Sequence, residues 1–312
     1  MHNDIDILVS EVGPRDGLQN ISSIMPREAK ELWIQAEAGA GVREIEVGSF
    51  VPAKTMPQLA DTAQLVESAR RIDGLTVAAL VPNLRGAQDA VRAGAHKISI
   101  PFSVSASHIQ RNLRRTHDEM LAEIRRIVTM LQGVPESERP HFEGSLSTAF
   151  GCSIEGKIKE SEVVRFAEQL LHAGCDEVGL SDTTGYANPV QIRRLIGAVR
   201  RAVGDDKVTG VHLHNTRGLG LANALAAVEE GITTLDSSLG GLGGCPAAPG
   251  ASGNIVTEDL VFMLEAMGLK TGIDVEQLLR VRQILLDALP NEELFGFTPD
   301  AGLPKGFSHV GT

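Results

Sequence analysis

Short runs rich in β-branched residues alternate eight times with longer amphipathic stretches, and no linker or change of composition divides the series. The runs fall at residues 7–12, 44–48, 76–80, 97–102, 141–147, 177–181, 209–214 and 234–237. Helical periodicity spans residues 26–40, 61–72, 84–93, 119–131, 160–173, 189–203, 218–230 and 257–267. A run too short for a helix, followed by a helix and another such run, requires parallel strands joined by helical crossovers. Eight uninterrupted units favour a closed barrel over an open sheet. The expected fold is therefore α/β, a (β/α)8 TIM barrel forming one catalytic domain over residues 1–312. A further helical pattern at 274–289 and a tail rich in Gly and Pro make residues 273–312 a C-terminal extension of helical and irregular structure. Gly39, Gly94, Gly174 and Gly231 each follow Ala or Glu just before a strand, where a helix end calls for a left-handed residue.

Charge narrows the partners. With 29 Lys and Arg against 40 Asp and Glu, the formal charge is −11, so no overall field draws the chain to nucleic acid or an anionic membrane. An anionic small-molecule substrate must then be met by local cations and a metal. The segment Met1–Asp6 lacks a basic and apolar leader, and no apolar run reaches about 18 residues, so a soluble, cytoplasmic protein is expected. Cys152, Cys175 and Cys245 are three widely spaced cysteines, which suits reduced thiols rather than a disulfide framework. A homo-oligomer, a dimer, is the expected assembly.

Catalytic groups of such barrels sit at the C-terminal strand ends. There the chain is strongly polar: Glu11, Arg15, Asp16 and Gln19 after the first run, Glu46 and Ser49 at the second, Asn83 after the third and Asp182 after the sixth. In the seventh, His212-Leu213-His214 places two imidazoles on one strand face, because side chains alternate with a period of two. Alone, such a pair serves a metal or forms two hydrogen-bonded polar core groups. Asp16 at another strand end favours the metal, since imidazole with carboxylate suits a divalent ion that keeps positions open for substrate. After the eighth run, Gly240-Gly241-Leu242-Gly243-Gly244-Cys245-Pro246 leads to Gly253-Asn254. Its glycines allow the backbone, at Gly243 and Gly244 in particular, to fold closely over a ligand or move as a lid. The segment matches neither a Walker A nor a Rossmann loop. Cys245 reads either as a small buried hydrophobe or as a reactive thiol, and its glycine-rich setting favours the thiol.

Taken together, residues 11–20, 46–50 and 82–86, His212-Leu213-His214-Asn215 and residues 241–260 resemble the 3-hydroxy-3-methylglutaryl-CoA lyase family, with matches from about Glu11 to Gly272. The resemblance implies a divalent metal, Mg²⁺ or Mn²⁺ with Co²⁺ an option, held by Asp16, His212, His214 and Asn254. It implies that Arg15 stabilises a developing enolate and that Cys245 works in proton transfer during carbon–carbon cleavage of a hydroxyacyl-CoA. His212 is then the candidate base. Glu46 and Asp182 would orient Arg15 and the metal shell, or form ordinary salt bridges in the barrel mouth. Gln19, Ser49, Asn83, Gly243 and Gly244 are left to meet the substrate.

Three stretches depart from the family. Ile21-Ser22 stand where Glu-Lys is usual, and Gly151-Cys152-Ser153 where Gly-Cys-Pro is usual. Ser103-Val104-Ser105-Ala106-Ser107-His108, followed by Asn112 and Thr116, is closer to the Ser-x-Ser…His segment of Claisen-condensing synthases. These changes bear on the acyl group rather than on the metal chemistry. A lyase for another short hydroxyacyl-CoA, such as citramalyl-CoA, is one alternative. A synthase joining acetyl-CoA to a 2-oxo acid is another, opposed by the Gly-Gly-Cys-Pro motif, and a metal-binding barrel without turnover is a third.

Overall fold

The computed structural model describes residues 4–243 and 253–311. Eight parallel strands pair in chain order: β1 (Leu8–Glu11), β2 (Glu44–Ser49), β3 (Thr76–Leu80), β4 (Lys97–Ser103), β5 (His141–Ser147), β6 (Glu177–Asp182), β7 (Gly210–Leu213) and β8 (Thr234–Ser237). β1 pairs with both β2 and β8, which closes the barrel. The helices are α1 (Arg27–Gly39), α2 (Thr62–Ala69), α3 (Leu84–Ala93), α4 (Ala106–Leu113), α5 (His117–Gln132), α6 (Glu160–Ala173), α7 (Pro189–Val203), α8 (Gly220–Glu229), α9 (Thr257–Ala266), α10 (Val275–Ala288) and α11 (Phe297–Ala301). The alternation read from the sequence is thus the alternation observed. Among the described residues, no helix is long and apolar enough to cross a membrane.

Two local readings change. α4 forms inside the connection after β4, where no helix was expected, and Ser105 caps it by accepting a hydrogen bond from the His108 N–H. Gly94 and Gly174 do end their helices in left-handed conformation, and Gly231 follows α8 with positive φ. Gly39 does not. It is the last residue of α1, and the left-handed turn comes at Gly41, with φ 102°.

Strand alternation sorts the side chains. Ile45, Val47, Val77, Ile98, Ile100, Phe102, Leu146, Leu180 and Leu235 point outward and are buried beneath the helices. Each such side chain contributes about 1.5–3 kcal/mol by leaving water. The other parity fills the barrel with polar groups instead. Lys97 lies 2.8 Å from Glu143, 3.1 Å from Glu177 and 3.7 Å from Glu44. Burial alone would discharge Lys97, but these three carboxylates hold it as an ammonium. Cys152 and Cys175 are free and buried, and burial pushes the Cys175 thiol far up. Cys245 lies outside the described residues.

At the C-terminal end of β1, the fully buried Glu11 carboxylate gathers three segments. It accepts hydrogen bonds from the Gly13 N–H at 2.7 Å, the Leu239 N–H at 3.0 Å and the Thr257 hydroxyl at 2.7 Å. Beside it, Glu258 accepts from the Gly240 N–H at 2.9 Å and from Arg282 at 3.0 Å. Burial raises the pKa of both carboxyls.

The C-terminal extension is tied in by close backbone contact. α10 packs on α1, and the Asp274 N–H donates to the Ala40 carbonyl at 2.8 Å. A Cβ at Gly41 would meet the carbonyl oxygen of Gly272. Gly41→Ala therefore combines a strained positive φ with a backbone clash. We expect it to lower unfolding free energy by on the order of 2–4 kcal/mol in urea denaturation, whereas Gly39→Ala, with nothing near its Cβ position, should not destabilise.

Candidate active site

β1 runs into a five-residue π-helical turn, Gly13–Gly17, in which the N–H groups of Arg15, Asp16 and Gly17 all donate to the Val12 carbonyl. On a strand, consecutive side chains would face opposite sides. Here both Arg15 and Asp16 line one cavity of about 660 Å³ at the barrel mouth. β7 delivers His212 to the same cavity, and His214 follows just beyond the strand in a bridge to Asn254.

These side chains converge. His212 Nε2 and His214 Nε2 are 3.0 Å apart, and the Asp16 carboxylate lies 3.9 Å from the first and 4.0 Å from the second. One ligand atom from each of the three falls within 4.8 Å of the others. The Asn254 amide donates to Asp16 Oδ2 at 2.8 Å, while its own Oδ1 is buried without a hydrogen-bond partner. Two imidazole nitrogens and a carboxylate within reach of one another, with a buried amide beside them, fit a divalent cation. The charge states agree. Burial would raise Asp16, but Arg15 and the two imidazoles hold its carboxyl well below the usual carboxylate range. Burial and the neighbouring His212 push His214 down to about 4, so it is neutral near pH 7 and able to ligate.

Arg15 is clamped between two carboxylates, donating to Glu46 through Nε and to Asp16 at 2.5 Å. Glu46 is itself held by the Ser99 hydroxyl at 3.0 Å, so its expected orienting role toward Arg15 has a direct geometric basis. Asp182 interacts electrostatically with His212 and is held by backbone donors. Its two oxygens accept from the Tyr186 and Ala187 N–H groups at 2.8 and 3.1 Å, so it shapes the turn after β6. Burial raises its pKa to about 6.

Gln19, Ser49 and Asn83 all line the cavity. The Ser49 hydroxyl is buried with no partner, whereas the Asn83 side chain caps α3 through the Gly86 N–H at 3.0 Å. Gly243 packs against Gly17, where a Cβ would strike the backbone. Gly244 and Cys245 lie outside the described residues. One group escaped the sequence reading. Asp236, inward on β8 and in register with His212, hydrogen-bonds His212 Nδ1 at 3.0 Å. Burial works against the imidazolium, but this bond and the charges of Asp16 and Asp236 raise the His212 pKa above its ordinary value. The signal was an Asp at an inward position of a strand adjoining the His-x-His strand.

A profile of the HMGL-like family matches residues 6–285. The chain belongs to the HMGL-like family. It is similar to the hydroxymethylglutaryl-CoA lyase YngG of Bacillus subtilis, with 39% identity over 273 residues, 88% of this chain and 90% of that one. It is also similar to the mitochondrial hydroxymethylglutaryl-CoA lyase of Mus musculus, with 38% identity over 283 residues, 91% and 86% of the two chains. Among solved structures, an HMG-CoA lyase from Acinetobacter baumannii in complex with coenzyme A and 3-methylmalate superposes with a TM-score of 0.89 at 40% identity, covering 99% of this chain and all of that one.

In this HMGL-like chain, a cation held by Asp16, His212 and His214 would compete with a proton for His212. Because His212 titrates above its ordinary value, Mn²⁺ affinity measured by calorimetry should fall as pH drops through the His212 range. In Asp236→Asn the raising influence is lost, so the onset of that fall should move to lower pH. Asp16→Ala should abolish binding at every pH. An unchanged pH profile in Asp236→Asn would break the assigned link between Asp236 and His212.

Proposed function

We propose that this chain is a divalent-metal-dependent carbon–carbon lyase that cleaves 3-hydroxy-3-methylglutaryl-CoA to acetyl-CoA and acetoacetate. The observation that carries this reading is the cluster of Asp16, His212 and His214, with Asn254 bonded to Asp16, beside the Arg15 guanidinium. Kinship with hydroxymethylglutaryl-CoA lyases supports the substrate class. We assign Mg²⁺ or Mn²⁺ to the site, with Co²⁺ able to substitute, because two oxygens and two nitrogens with open positions suit an octahedral ion. Cytoplasmic location, a homodimer and one catalytic domain over the whole chain are part of the same proposal.

The cation, when bound, acidifies and orients the substrate's tertiary hydroxyl. His212 is the candidate base for the hydroxyl proton: with Nδ1 taken by Asp236, only Nε2 can accept it, and only while that nitrogen is not a ligand of the cation. Asp236 then stabilises the imidazolium. As the oxygen's electrons form the new ketone, the bond between C2 and C3 breaks and its electron pair passes onto the thioester as an enolate. Burial disfavours the charge of Arg15, yet Glu46 and Asp16 outweigh that and keep it ionised, ready to meet the enolate oxygen. Reprotonation at C2 completes acetyl-CoA. We assign this proton to Cys245 on the sequence and the resemblance, with the glycine segment closing the site over the thioester. Gln19, Ser49, Asn83, Gly243 and Gly244 are assigned to substrate contact, and Asp182 to holding the catalytic turn after β6.

A panel of hydroxyacyl-CoA thioesters, assayed for acetyl-CoA release with added Mg²⁺ or Mn²⁺, tests the reading. The 3-hydroxy-3-methylglutaryl thioester should be cleaved fastest, and faster cleavage of citramalyl-CoA would reassign the acyl group. Arg15→Gln should lower kcat by on the order of 10²–10³ with little change in KM, since the guanidinium acts on charge that appears in the transition state. A change confined to KM would make Arg15 a binding residue.

Cys245→Ser separates acid chemistry from packing. If the thiol, of ordinary pKa about 8.5, delivers the proton, the far weaker acid of the serine variant should lose most of its turnover while keeping metal and substrate affinity. Near-normal kcat in that variant would reject the acid role.

A further inference from the structure

Electrostatics leaves one basic group of the cavity unaccounted for. The lining carries five carboxylates, Asp16, Glu44, Glu46, Glu143 and Asp236, against three cations among the described residues, Arg15, Lys97 and Arg115. Arg15 is consumed by Glu46 and Asp16, and Lys97 by the three glutamates around it. Arg115 is not. Its carboxylate neighbour Glu123 stands 3.5 Å away and is already 2.8 Å from both Arg126 and the Leu84 N–H. A 3.5 Å contact is too long for a strong charge-assisted bond. The Arg115 side chain lines the cavity and is 36% exposed.

Local structure holds this arginine in place. α4 ends at Arg114, which takes a left-handed conformation with φ 55° and ψ 39°. That conformation is uncommon for a residue with a side chain and tends to mark functional turns. Immediately after Arg115, Thr116 opens α5 with a complete capping box to Glu119. The Arg115 backbone is therefore fixed on both sides. On α4, His108 and Asn112 are one turn apart and line the same cavity. Ser103 occupies His108 Nδ1 at 2.7 Å, so Nε2 is the atom that His108 can offer a ligand. His108 and Asn112 belong to one of the three stretches in which the chain departs from its family, and the chemistry described above makes no use of it.

We propose that Arg115, with Asn112 and His108, forms an anion subsite at the cavity rim that receives a phosphate of coenzyme A. The inference rests on the acyl-CoA reading above. In that reading the acyl end must reach the metal donors and Arg15, while the phosphates are the anionic groups at the far end of the molecule. They would approach a chain of net charge −11 and a cavity with more carboxylates than cations. A rim cation without a close carboxylate partner offsets that repulsion where the ligand enters.

The test is calorimetric titration of the intact protein with coenzyme A and, separately, with pantetheine, which lacks every phosphate. Arg115→Ala should weaken coenzyme A binding about tenfold, the loss of one charged hydrogen-bonded contact. Pantetheine affinity should stay within about twofold, a difference too small to reflect a lost charged contact. Arg115→Lys should recover part of the loss, because it keeps the charge but not the planar fork. Coenzyme A affinity unchanged in Arg115→Ala would overturn the proposal. So would a loss seen equally with a pantetheine thioester of the same acyl group, which would place the anion at the acyl carboxylate instead. Arg115-dependent coenzyme A binding by a protein that cleaves no hydroxyacyl thioester would support the subsite while removing the lyase reading. Cleavage with coenzyme A binding indifferent to Arg115 would do the reverse.

Discussion

One buried carboxylate holds the active end of this barrel together. Glu11 sits where the first strand ends and accepts hydrogen bonds from the Arg15/Asp16 turn, from the backbone after the last strand and from the start of α9, three residues beyond Asn254. Each segment carries a different part of the site, and none is adjacent to the others in sequence. Burial opposes the charge of Glu11, and the three donors are what make its position tolerable. Removing the carboxylate would leave two backbone N–H groups buried without partners, a larger penalty than the loss of a surface ion pair. The chelating geometry is therefore inherited from a contact that touches neither metal nor substrate.

The barrel interior follows a second constraint, that a buried cation must be met by carboxylates. Lys97 with its three glutamates, and Arg15 with Glu46 and Asp16, are local solutions of that kind. Around His212, His214, Asp16 and Asn254 two buried atoms, His214 Nδ1 and Asn254 Oδ1, stay without a partner. Two imidazoles approach within 3.0 Å and an amide oxygen lies buried with nothing to accept. The histidine pair is hydrogen-bonded, and the Asp16 carboxylate beside it adds a third donor of the kind that a divalent cation takes.

Much of this was legible beforehand because it depends on period. Strand order, the His-x-His face and the polar strand ends follow from alternation, which any single chain displays. What escaped depends on register between distant strands. Asp236 acquires its role only because β8 pairs with β7 so that it lies level with His212. Glu11 could be seen at a strand end, but not its three donors. α4 was missed because its residues sit between a strand and a stronger helical pattern, and Ser105 caps it only in the folded loop. Gly39 misled for a related reason. A glycine near a helix end signals a left-handed turn, yet the turn formed two residues later at Gly41, where the approach of the Gly272 carbonyl admits no side chain.

The π-helical turn after β1 makes neighbours in sequence into neighbours in function. Arg15 and Asp16 share one peptide unit, and their N–H groups converge on the same Val12 carbonyl. Their α-carbons are held about 3.8 Å apart by covalent geometry. In the proposed mechanism the grip on the cation and the grip on the enolate would thus be one stiff piece, and a displacement of Asp16 would be transmitted to the guanidinium. Octahedral ions with bonds of about 2.0–2.1 Å and larger ions at about 2.3–2.6 Å would seat that piece differently. Such a site discriminates between metals less by how tightly it holds them than by where each one leaves the arginine.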